Sequence, residues 1–93
     1  MLKDIVEVSP LDGYRLWLRF EDGAEGPVDV ATMIHFQGVF ASLRDREKFL
    51  EVRVDRELGT ICWPNGADLD PDVLYSRVTG EAIPEFKAES LIH

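Results

Sequence analysis

Cysteine and histidine, two residue types that much enzyme chemistry uses, are scarce in this chain. Its 93 residues include one cysteine, Cys62, and two histidines, His35 and His93. A single thiol permits no internal disulfide and fits a reducing compartment, and two imidazoles with one thiol do not furnish a structural zinc site. Bases are scarce too: ten Lys and Arg stand against eighteen Asp and Glu, a formal charge of −8. That balance opposes generic attachment to phosphate backbones and favours solubility or a basic partner. No run approaches the ~20 apolar residues of a membrane span, and the opening Met-Leu-Lys-Asp lacks signal-peptide character. These absences predict a cytoplasmic domain that holds no metal and no cofactor. No repeat, low-complexity tract or linker divides the chain, so residues 1–79 are expected to form one domain. Residues 80–93 stand apart as a C-terminal tail.

The surviving nucleophiles lack partners in sequence. Cys62 adjoins Trp63 with no base nearby, whereas a catalytic thiol needs a cation or imidazole to lower its pKa. A small buried core residue explains it better. The serines lie in no nucleophile-elbow context. Asp68-Leu-Asp-Pro-Asp72 imitates the first three ligand positions of a calcium loop. Val73 then stands where such a loop needs glycine, and Thr79 where it needs glutamate. Helix capping accounts for Asp70 and Asp72 without an ion. Those same carboxylates would repel phosphate from the Pro64-Asn65-Gly66-Ala67 turn.

What is there is strand pattern. Tyr14, Leu16, Leu18 and Phe20 alternate with Arg15, Trp17 and Arg19, the period of a strand with one buried face. Asp12-Gly13 and Glu21-Asp22-Gly23 supply turns on either side. The β-branched Lys3–Val8 segment precedes this strand, and the Ala24–Val30 segment follows it. Together they predict a three-stranded antiparallel meander, with Pro27 marking an edge. Further on, Asp45 caps a short helix carrying Phe49 and Leu50, with Leu43 as its staple residue. Val52–Val54 and Thr60–Trp63 read as fourth and fifth strands. Asp70 caps a second helix, Pro71 sits at its first position, and Gly80 ends it. The fold class is α+β: an antiparallel sheet of about five short strands with two short helices.

Arg15, Trp17 and Arg19 form a basic–aromatic row of the kind that binds single-stranded nucleic acid by stacking and charge pairing. The opposing account packs Trp17 beneath the arms of the two arginines, and the net charge weighs against nucleic acid.

The run Leu11–Gly23 (LDGYRLWLRFEDG), the segment Gly38–Asp45 (GVFASLRD), and Val52–Asp55 followed by Gly59–Asp70 (GTICWPNGADLD) resemble a small bacterial family catalogued as domain of unknown function 2442. The resemblance spans about residues 2–76, and Trp63–Asp70 is its most specific part. It implies a small cytoplasmic α+β protein without an assigned catalytic residue, similar in many members to the antitoxin half of a two-gene toxin–antitoxin pair. Some relatives carry a helix-turn-helix after this module. The fourteen residues after Thr79 are too few for one, so the DNA binding of those fused relatives is not the leading expectation here.

The leading expectation is therefore a non-enzymatic, acidic protein-interaction module, antitoxin-like, that binds a small basic protein encoded nearby. Its expected contact face is Trp63, Pro64, Asn65, Gly66, Asp68 and Asp70, with Trp63 either an aromatic anchor for the partner or a core residue closing the sheet. The tail, with Ile83, Phe86, Leu91 and Ile92 among its acids, is expected to order on binding. Two alternatives remain: a transcriptional regulator or nucleic-acid binder using Arg15, Trp17 and Arg19, and a homodimeric adaptor pairing through an edge strand.

Overall fold

A computed structural model describes residues 3–80 of the chain; the tail reading, from Glu81 onward, falls outside the described residues. Strands β1 (Ile5–Pro10), β2 (Arg15–Phe20) and β3 (Glu25–Asp29) form an antiparallel meander in the order β1-β2-β3. The two Asp-Gly turns connect them, with Gly13 at φ 60° and Gly23 at φ 92°. Leu16, Leu18 and Phe20 are fully buried while Arg15, Trp17 and Arg19 are exposed. The period-two pattern thus separates a wet face from a dry one. Pro27 lies in the middle of edge strand β3, opposite Trp17, where its missing N–H blunts the edge. A register shift between Ile5 and Glu7 leaves Val6 without a ladder partner and exposed.

The remaining strands, β4 (Arg53–Asp55) and β5 (Thr60–Cys62), pair as a separate antiparallel hairpin. The five strands therefore divide into two sheets. Their junction is the start of β1, where Ile5 N donates to the Gly59 carbonyl (3.0 Å) and Asp4 N donates to the Glu21 carboxylate (3.1 Å). Gly59 sits at φ 70°, and a Cβ there would overlap the Asp4 carboxylate.

Between the two sheets the chain runs through tight turns. Val30–Thr32 and Gly38–Arg44 form 3-10 turns, and helix α1 (Arg46–Phe49) follows, capped by Asp45, whose carboxylate accepts from Glu47 N (3.0 Å). Helix α2 (Pro71–Thr79) has the predicted cap: Asp70 accepts from Asp72 N (2.9 Å), and Gly80 closes the C-terminus at φ 79°. This helix lies on the inner face of the meander. Gly26 is the point of approach, since a Cβ there would stand 3.3 Å from Val78 Cγ1. Beside it Tyr75 meets Phe20 edge-on with ring centroids 5.0 Å apart. One core collects Ile5, Leu16, Leu18, Phe20, Val28, Val30, Leu43, Phe49, Ile61, Trp63, Ala67 and Leu74. No helix of the described residues is long and apolar enough to cross a membrane.

Candidate functional site

The loop after β5 is built by its own short-range bonds. Trp63 N donates to the Ala67 carbonyl (2.9 Å), Gly66 N donates to the Trp63 carbonyl (3.0 Å), and Cys62 and Asp68 form an isolated antiparallel bridge. Gly66 takes φ 92° to close this turn, a conformation that costs a side-chain-bearing residue but not glycine. Asn65 joins the loop to the 3-10 segment. Its amide donates to the Val39 carbonyl (2.8 Å) and to Ser42 Oγ (3.0 Å), and its oxygen accepts from Ala67 N (3.0 Å).

Of the face expected from sequence, Pro64, Asn65, Gly66, Asp68 and Asp70 are exposed. Trp63 is not: it is 1% exposed, stacks at a tilt on Phe49 with centroids 5.9 Å apart, and donates from Nε1 to the Phe49 carbonyl (2.9 Å). An indole with its only donor satisfied inside the core does not project toward a partner, so the anchor reading is corrected to the core one. Asp70 is occupied as the cap of α2. Asp68 is different. Its backbone carries the bridge to Cys62, while its exposed carboxylate makes neither a hydrogen bond nor an ion pair with a described residue.

Next to this loop opens a cavity of about 400 Å³ lined by Ser42, Leu43, Lys48, Glu51, Trp63, Pro64 and Asn65. Pro64 is its exposed apolar group, Leu43 and Trp63 border it from within the core at 1% exposure each, and Lys48 and Glu51 are its charged groups. Ser42 Oγ is bonded to the Asn65 amide rather than to a base, which is not the geometry of an activated nucleophile. Cys62 is buried and His35 exposed. Among the described residues, no group of three or more His, Cys, Asp or Glu gathers to hold a metal ion.

The outer face of the meander displays the basic–aromatic row, with its charges already matched. Arg15 pairs with Asp12 (Nε to Oδ1, 3.1 Å) and Arg19 with Glu7 (Nε to Oε1, 2.6 Å), the two ion pairs found among the described residues. The hydrogen bond and charge of Arg15 hold the Asp12 carboxyl below its usual pKa. Trp17, 38% exposed, donates from Nε1 to Glu25 (3.2 Å). Each member of the row thus faces a carboxylate, an arrangement that a phosphate backbone would have to displace.

Sequence reasoning missed Arg46. Its guanidinium crosses from α1 to the β1–β2 turn and donates to the carbonyls of Leu11 (2.9 Å) and Gly13. A lone arginine after a capping aspartate gives no local sign of such a reach.

Compared with known proteins, residues 5–80 match the family model described as a protein of unknown function (DUF2442), and the chain belongs to that family. No curated protein and no solved structure matches it.

Proposed function

We propose that this DUF2442 chain is a non-enzymatic, antitoxin-like interaction module that takes up a small basic protein encoded beside it. The observation that carries the reading is the uncompensated acid at Asp68. A backbone bridge fixes its position, and its exposed carboxylate forms no ion pair with a described residue, in a chain of net charge −8 whose described residues form only two ion pairs. Fixed, unpaired surface charge steers an oppositely charged protein and selects its orientation, and it loses nothing of its own fold when paired. The pocket's one serine is bonded to an amide, in keeping with a role in binding and not in turnover. The antitoxin character rests on the resemblance of Trp63–Asp70 to the family.

The test is co-expression with the product of the adjacent reading frame. A complex that co-purifies, weakens as salt rises, and is lost in Asp68→Lys supports the proposal. Neither a complex nor relief of that neighbour's toxicity would sink it.

A further inference from the structure

We infer that Asn65 is a modification site: the Asn65-Gly66 pair is poised for spontaneous deamidation, and the bonds that close the loop restrain that reaction until the loop opens. Asn65 is the one asparagine of the chain, and both residues of the pair are exposed.

The chemistry needs water and no other reactant. The backbone nitrogen of Gly66 attacks Cγ of Asn65, the Cγ–Nδ2 bond breaks, and the Gly66 proton ends on the departing ammonia. A cyclic imide remains. Water adds to one of its carbonyl carbons and breaks that carbon's bond to the Gly66 nitrogen, leaving either aspartate or its backbone-extended isomer. Glycine favours the attack because no Cβ shields its nitrogen, and this turn demands glycine. Gly66 sits at φ 92°, while a Cβ there would meet nothing within 4 Å, so conformation and not crowding selects it. The loop also uses an amide, which donates to Val39 and Ser42 and accepts from Ala67 at once. The residues that build the turn are those that make it labile.

In the closed loop the reacting groups are engaged. Nδ2 donates to the Val39 carbonyl (2.8 Å) and to Ser42 Oγ (3.0 Å), and Gly66 N donates to the Trp63 carbonyl (3.0 Å). Ring closure gives up all three bonds. The bond from Ala67 N to Asn65 Oδ1 (3.0 Å) polarises the attacked group, so the restraint lies in the three donations and not in this acceptance. Afterwards the loop cannot close as before. A carboxylate at this position has no proton for the Val39 carbonyl and sets acceptor against acceptor, and the isomer lengthens the backbone of the turn. Either product adds a negative charge to a chain of −8.

Intact-mass spectrometry follows the exchange of NH2 for OH in the folded chain and in guanidinium chloride at one mildly alkaline pH. Peptide mapping separates Asn65 from Gln37, the chain's other side-chain amide. The folded chain is expected to react about tenfold or more slowly than the unfolded one, because only its open fraction reacts. Ser42→Ala removes one restraining partner and is expected to speed the reaction of the folded chain roughly threefold, with no effect in denaturant. Asn65→Asp, made directly, is expected to lower the urea midpoint. No reaction at Asn65 in denaturant, equal rates in the two states, indifference of the folded chain to Ser42→Ala, or an Asn65→Asp variant as stable as the parent would each overturn the inference.

Discussion

The indole of Trp63 and the carbonyl of Phe49 are joined by a buried 2.9 Å hydrogen bond across fourteen residues of chain. That bond ties the end of β5 to the end of α1 and brings both rings into the core.

Trp63→Phe is expected to destabilise the protein by about 2–4 kcal/mol, combining lost ring volume with a carbonyl left unpaired in the core. Urea denaturation read by circular dichroism measures it. A loss under about 0.5 kcal/mol would mean that the bond contributes nothing to holding the loop.

At the junction of the two sheets, Gly59→Ala is expected to cost about 1–2 kcal/mol. Its φ of 70° and the overlap with the Asp4 carboxylate both oppose a Cβ, but Asp4 is exposed and its side chain can swing away. The backbone conformation is therefore the larger cause. Thermal melts of Gly59→Ala and of Asp4→Ala/Gly59→Ala should nearly coincide; full recovery in the double variant would assign the cost to the overlap instead.

The acids of the loop divide by role. Asp70→Ala removes the cap of α2 and is expected to cost about 1 kcal/mol. Asp68→Ala touches no bond of its carboxylate and should stay within about 0.5 kcal/mol of the parent. Parallel urea melts compare them, and equal losses would give Asp68 a structural duty.

Asp22 carries a pH signature. The Tyr75 hydroxyl (2.6 Å) and then Ala24 N (3.0 Å) hydrogen-bond its carboxylate and hold its pKa below the ordinary 3.8. A carboxyl with a depressed folded pKa stabilises the fold fully above the unfolded value, and the contribution fades as pH falls from there through the folded value. Stability should therefore be insensitive to this group above about pH 5 and should decline below 3.8. Asp22→Asn should flatten that acid limb in melts run from neutral pH downward. An unchanged limb would exclude Asp22 as a contributor.

Much of the architecture is legible where a local rule governs it. The alternation from Tyr14 to Phe20 gives the dry face of β2 because a strand has no other way to sort those residues. Asp45, Asp70, Pro71 and Gly80 mark the helix ends because the orphan N–H and C=O groups there need them. What escapes is set by distance along the chain. The separation of β4 and β5 from the meander follows from how the start of β1 meets Gly59, and the reach of Arg46 to Leu11 and Gly13 spans more than thirty residues. Trp63 is an intermediate case. Its neighbours fit a core strand and an interface anchor equally well, and the carbonyl of Phe49 decides between them.

Asn65 holds the mouth of the cavity in shape from three sides, to Val39, Ser42 and Ala67. A loop already assembled has little ordering entropy left to lose if the proposed partner docks on it. Association with that proposed partner should then be limited by diffusion and orientation, not by rearrangement, and variants of the partner should differ mainly in how long they stay.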